Sequence, residues 1–180
     1  MRRRAFLERL GVAVAGSALG IRPAHAAPRL PAPARRLARI GLELYAVRDA
    51  MRRDPERTLA AVRAIGYTDV ELLWSFRNFD RSTEQVRAAL EREGLRAPSA
   101  HIAPETITAD WGRSLETAAV LGHEMLIVPS LPGETRTSLD AWHRWADLFN
   151  RAGEKARGAG LWLAFHNEPD HMKPVASRVP

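Results

Sequence analysis

The sequence predicts an α/β fold of the (β/α)8 TIM-barrel type, of which the chain supplies the N-terminal part: about five strands and four helices. Three observations predict it. Short apolar runs alternate with amphipathic helical segments from Ile40 onward. Each helical segment ends at a glycine, and Gly66, Gly94 and Gly122 stand 28 residues apart. A repeat of strand, loop, helix and glycine is a βα unit, and consecutive βα units imply parallel strands joined by right-handed crossovers. Finally, polar or aromatic side chains close successive runs: Tyr45, Glu71, His101, and His166 with Asn167. A barrel draws its active site from the C-terminal ends of many strands. The open doubly wound alternative would need a glycine-rich turn after its first strand, and Tyr45-Ala46-Val47-Arg48-Asp49 contains no glycine.

The first strand is expected at Ile40–Tyr45. Asp54-Pro55 then places an acceptor at an N-cap and proline at the first helical position. Leu59, Val62 and Ile65 have the helical spacing of a buried face, and Gly66 suits the left-handed position after the last turn. The second strand is Asp69–Leu73. Ser82-Thr83-Glu84-Gln85 fits a capping box for the next helix, which ends at Gly94. Strand three is Ala97–His101, and Asp110 caps the helix that ends at Gly122. Strand four is Met125–Pro129, Thr137 or Ser138 caps a longer helix, and strand five is Leu161–His166. Eight such units need roughly 250 residues. The chain has 180, so it is expected to be the N-terminal part of a longer protein, truncated after the fifth strand.

Charge and composition narrow the function. The chain holds 27 basic and 21 acidic residues, but five arginines lie within residues 1–26 and four more within 27–39. From Ile40 onward 18 basic residues face 20 acidic ones. The basicity belongs to the leader, and no nucleic-acid partner is expected. Cysteine is absent, which excludes disulfides, thiolate metal sites and cysteine nucleophiles. Residues 1–26 combine a basic start, a short apolar run from Gly11 to Ile21 and Ala24-His25-Ala26 as a cleavage site. With Arg3-Arg4 they read as a twin-arginine signal peptide, so the export machinery is an expected partner and the periplasm the expected location. The apolar run falls short of the roughly 20 residues a membrane anchor needs. Residues 27–39, rich in Pro, Ala and Arg, read as a linker.

With these residues in view, a family resemblance follows. Gly41-Leu42-Glu43-Leu44-Tyr45-Ala46-Val47-Arg48-Asp49, Ile65-Gly66-Tyr67 with Val70-Glu71, Pro98-Ser99-Ala100-His101, Val128-Pro129 and Phe165-His166-Asn167 resemble the xylose-isomerase-like family of sugar phosphate isomerases/epimerases. The resemblance implies a (β/α)8 barrel with a divalent metal (Mn, Mg, Co or Zn) held by carboxylates and a histidine from the later strands. It also implies proton transfer next to a carbonyl. A hard cation polarises the carbonyl while a carboxylate moves the proton.

Carried onto this sequence, the resemblance makes Glu168 the metal ligand and, with His166, the catalytic pair. The remaining ligands are expected on strands beyond this chain, which is therefore expected to be inactive alone. Tyr45, Glu71, His101, Asn167 and Trp74 are the substrate-binding candidates. His171 could join a metal site but reads more readily as solvated loop. Trp142, Trp145 and Phe149 read as helix packing, and His123 and His143 carry no assignment. The expected activity is an exported metal-dependent sugar isomerase or epimerase acting on a free sugar, keto-sugar or glycoside. Two alternatives stay open: a non-catalytic periplasmic sugar-binding remnant, and a metal-dependent, endonuclease-like hydrolase or lyase. A homo-oligomer would cover the open sheet edges that a partial barrel leaves.

Overall fold

The structure is a computed structural model that describes residues 37–175, with the backbone alone at residues 134 and 135. The expected export leader, residues 1–26, and most of the expected linker lie outside the described residues. Within them, no helix is long and apolar enough to cross a membrane.

Five parallel strands form one sheet in the order β1-β2-β3-β4-β5: β1 Gly41–Glu43, β2 Asp69–Leu73, β3 Arg96–His101, β4 Met125–Val128 and β5 Trp162–Phe165. Five helices connect them: α1 Arg48–Arg53, α2 Pro55–Ile65, α3 Thr83–Glu93, α4 Trp111–Leu121 and α5 Leu139–Gly158. The expected caps form. Asp54 accepts from the Arg57 N–H, Asp110 from Arg113 and Ser138, rather than Thr137, from Ala141, while Ser82 and Gln85 close a reciprocal capping box. These bonds satisfy amide groups that the first helical turn leaves without partners. Gly66, Gly94 and Gly122 take φ of 116°, 62° and 75°, where a β-carbon would be strained.

Alternation along the strands gives the sheet two unlike faces. Val70, Leu72, Ala100, Leu126 and Val128 are 0–3% exposed and carry the core shared with the helices. Registers Glu43↔Glu71, Glu71↔Ser99 and His101↔Ile127 put Glu43, Glu71, Ser99 and His101 on the opposite face, with Met125 and Ile127 beside them and Trp162, at 63% exposed, on the edge strand. One irregularity decides who shares that face. Between Asp69↔Arg96 and Glu71↔Ser99, β3 carries one residue more than β2. Pro98 lies in this bulge, where its missing N–H costs no ladder bond. In an unbroken register Glu71 would stand opposite Pro98 and not Ser99.

Two departures from the expected layout matter for the site. The first strand ends at Glu43; Leu44–Val47 is a 3-10 turn leading into α1, a helix the sequence pattern did not announce. Tyr45 therefore lies past the strand end instead of closing it. The second lies after β2 and a 3-10 turn at Trp74–Phe76. There Arg77, Asn78, Phe79 and Asp80 all have positive φ, from 47° to 60°, and make one left-handed helical turn. Such turns are disfavoured for L-residues. This one is held by Phe79, buried in an apolar pocket with Leu44, Met51, Leu59, Leu72 and Val86, and by paired bonds of 2.9 and 3.0 Å from the Arg81 guanidinium to Glu56.

At the opposite, N-terminal end of the strands the polar contacts are structural. Asp69, 6% exposed at the start of β2, receives the Arg39 guanidinium at 2.6 and 3.1 Å, and Arg96 pairs with Glu124 at 2.6 Å. Arg39, the last residue of the expected linker, is thus already tied to the sheet.

Candidate functional site at the C-terminal ends of the strands

The C-terminal ends of β1, β2 and β3 place three chemically active groups together. His101 is 7% exposed, and each of its ring nitrogens meets a carboxylate: Nδ1 lies 3.1 Å from Glu43 Oε1 and Nε2 3.0 Å from Glu71 Oε1. The second oxygen of Glu71, Oε2, accepts the Ser99 hydroxyl at 2.5 Å. A row of close polar contacts thus runs Ser99–Glu71–His101–Glu43 across neighbouring strands. Its Glu43 end is the most open: that side chain is 39% exposed, against 19% for Glu71 and 9% for His101.

The row opens onto a cleft of about 670 Å³. Glu43 and His101 form part of its wall, Leu73 part of its floor, and His166 and Glu168 enter from beyond β5. The His166 ring is tilted over that of His101 with centroids 5.7 Å apart. Tyr45 and Phe76 also line the cleft and meet edge to face at 5.9 Å. Arg48 stacks on the Tyr45 ring at 4.2 Å and Arg52 on Phe76 at 5.1 Å, so α1 backs both aromatics.

Among the described residues, Glu43, Glu71 and His101 form a group able to hold a metal ion, with one ligand atom from each lying within 4.8 Å of the others. Two carboxylates and one imidazole suit a hard or borderline divalent cation such as Mn²⁺, Mg²⁺, Co²⁺ or Zn²⁺. The donors come from the first three strands, whereas the sequence pointed to Glu168 and later strands. Glu168 and His166 lie on the same cleft but outside this group.

Of the other sequence candidates, Tyr45, Glu71 and His101 all line or adjoin the cleft. Asn167 is exposed and is not part of the cleft wall. Trp74 packs tilted against His123 with centroids 5.6 Å apart, away from the wall that Phe76 joins. His171 is 4% exposed rather than solvated. Its Nδ1 accepts the Glu168 N–H at 2.9 Å, and its ring packs on Phe165 and Trp142, so it closes the turn that carries Glu168. Burial and the nearby Arg136 hold its pKa below the usual histidine range. His123 is lowered too, chiefly by burial, with an opposing bond from Nδ1 to the Ala97 carbonyl. Glu43 and Ser99 went unselected in the sequence. The signal for Glu43 was its two-residue offset from Gly41, masked because Leu44-Tyr45 prolongs the apolar run.

A family model described as "Xylose isomerase-like TIM barrel" matches residues 59–177. The chain belongs to the xylose isomerase-like TIM barrel family. Solved structures agree on the fold. A sugar phosphate isomerase/epimerase from Parabacteroides distasonis is similar with a TM-score of 0.66 at 24% identity, covering 83% of this chain and 58% of that one. An AP endonuclease of family 2 from Brucella melitensis has a TM-score of 0.55 at 15% identity, over 72% of this chain and 55% of that one. A xylose isomerase domain containing protein from Salmonella typhimurium gives 0.52 at 15%, over 71% and 48%. The chain thus spans about half the length of these three structures. No curated protein matches the sequence.

Proposed function

We propose that this chain is the N-terminal part of an exported, divalent-metal-dependent sugar isomerase or epimerase that moves a proton next to a carbonyl. The observation that carries the reading is the Glu43–Glu71–His101 group at the strand ends of a xylose isomerase-like barrel, on a cleft it shares with His166 and Glu168. Glu43, Glu71 and His101 are the residues that would hold the cation, which when bound supplies polarisation of the substrate carbonyl.

The chain's own residues supply the rest. Glu168, exposed on the far side of the cleft, is the carboxylate available to take a proton from carbon, with His166 beside it to hand a proton to oxygen. The Tyr45–Phe76 pair offers an aromatic wall for the apolar face of a pyranose or furanose. Two carboxylates, Glu43 and Glu168, and no lysine or arginine line the cleft among the described residues, which favours an uncharged sugar over a phosphorylated one or a nucleic acid backbone. The same balance argues against the endonuclease-like alternative.

The test is exchange of the α-hydrogen of aldoses and ketoses with solvent deuterium, followed by proton NMR with the full chain, with Mn²⁺, Co²⁺, Zn²⁺ or chelator. Exchange is a half-reaction that needs only the donors on this cleft, so it is expected with metal, and only with metal, although full turnover by this chain alone is not. Glu168→Gln is expected to slow it at least about a hundredfold, the usual share of a general base. Absence of exchange with every metal and every sugar refutes the reaction. A sugar that binds equally with metal or chelator and never exchanges identifies a binding protein instead.

A further inference from the structure

The sheet stops directing the chain at His166, whose N–H donates to the Val128 carbonyl at 2.9 Å. Glu168 lies two residues further on and is exposed, yet one residue fixes both of its backbone polar groups. Its N–H donates to His171 Nδ1 at 2.9 Å, and its carbonyl accepts the His171 N–H at 2.9 Å. Pro169 adds a third restraint. The residue before a proline is confined to extended backbone, and Glu168 has φ −118° and ψ 166°. His171 thus closes a capping box at the turn Pro169–Met172, in the place that Gln85 takes toward Ser82 at the start of α3.

The two boxes differ in their anchorage. Gln85 is an exposed side chain, which is enough to start a helix. The His171 ring is 4% exposed, tilted on Phe165 at the end of β5 with centroids 5.0 Å apart, and it meets Trp142 of α5 edge to face at 6.0 Å. A stiff ring wedged between strand and helix ties the Glu168 backbone to the barrel wall, although His171 is not itself part of the cleft wall. We propose that His171 is a positioning residue for the chemistry of this cleft: it holds the Glu168 backbone against β5 and α5, so that the carboxylate meets the substrate carbon at a fixed place. The inference rests on the proposal that Glu168 is the base, and it says what keeps an exposed loop glutamate in register with the reaction. Displacing a reacting group by about 1 Å costs up to about a hundredfold in rate.

The test uses the full chain with Mn²⁺ and follows solvent-deuterium exchange into aldoses and ketoses, while ¹⁵N NMR of the metal-free chain reads hydrogen exchange at the Glu168 amide. His171→Phe keeps a ring between Phe165 and Trp142 and removes the acceptor. His171→Gln removes the ring and keeps an acceptor with the reach of Gln85, whose Oε1 lies 2.9 Å from the Ser82 nitrogen. His171→Phe is expected to lower kcat at least about tenfold with KM within about twofold, and to speed Glu168 amide exchange at least about tenfold. His171→Gln is expected to stay within about threefold of the unaltered chain in both. In a Glu168→Gln background, His171→Phe is expected to change nothing further, because it acts through the carboxylate. A role in packing alone reverses the order, with His171→Phe normal and His171→Gln slow, and overturns the proposal while leaving Glu168 as the base. A Glu168 amide in the unaltered chain that exchanges as fast as that of exposed Asn167 overturns it without any variant. Glu168→Gln as fast as the unaltered chain, or no exchange into any sugar, sinks the base and this role with it, whatever the amide shows.

Discussion

Phe79 holds a backbone turn that would otherwise unwind, and its removal gives a quantitative test of that claim. Four consecutive non-glycine residues, Arg77 to Asp80, sit at φ between 47° and 60°. At about 1–2 kcal/mol per residue the turn costs about 4–8 kcal/mol. Phe79 is 9% exposed, and truncating a buried phenylalanine to alanine costs about 3–5 kcal/mol when the surroundings stay in place. The two magnitudes are comparable, so Phe79→Ala is expected to let the turn relax, recover part of the strain and lose only about 2–3 kcal/mol in urea unfolding followed by circular dichroism. Asn78→Gly separates the terms. Glycine accepts positive φ freely, and the substitution also removes a buried Asn78 Oδ1 that has no partner. In the native background it is expected to stabilise by about 0.5–1 kcal/mol, and in the Phe79→Ala background to do nothing, a coupling that a double-mutant cycle reads directly. A neutral or destabilising Asn78→Gly in the native background would refute the strain. So would equal effects in both backgrounds. Phe76, three residues before Phe79, lines the cleft, so relaxation is also expected to weaken the sugar binding proposed for it.

Two predictions concern pH. Asp69 is held below the ordinary carboxylate range chiefly by its hydrogen bonds from Arg39, so it contributes stability that is present above about pH 3.9 and lost as the pH falls through its lower folded value. Arg39→Gln is expected to flatten that acid limb only slightly, because the guanidinium is half exposed and solvent screens it; an unchanged limb would contradict the pairing. His123, lowered by burial, is neutral in the fold, so its share of stability is complete above about pH 6.5 and is lost as the pH drops through the lower folded value. His123→Met is expected to shrink the decline of unfolding free energy below about pH 6.5, with His171 keeping the remainder. An identical slope in the variant would mean that His123 is not buried as described.

How much of this was legible follows from the range over which each feature is decided. The caps at Asp54, Ser82, Asp110 and Ser138 and the glycine stops at Gly66, Gly94 and Gly122 are settled within about one helical turn. The sequence shows such features without help, and four of the five strands lie where apolar runs placed them. The left-handed turn was not legible, because nothing in Arg77-Asn78-Phe79-Asp80 favours positive φ throughout; the pocket that receives Phe79 imposes it. The site was half legible. Glu71, His101, His166 and Glu168 stood out as polar groups at strand ends, while Glu43 was hidden behind the longer apolar run and Trp74 was drawn to His123 instead of the cleft.

By itself the sequence determined the βα repeat, the parallel sheet and the end of the strands at which chemistry gathers, since periodicity and capping are local and each unit repeats them. Only the tertiary structure decided which side chains meet. Strand register pairs residues 28 apart, Glu43 with Glu71 and Glu71 with Ser99, and a single extra residue at the Pro98 bulge sets the parity that turns Ser99 toward the carboxylate. A slip of one position sends every side chain of a strand to the other face, and that choice is made by packing across the sheet, which no local pattern encodes.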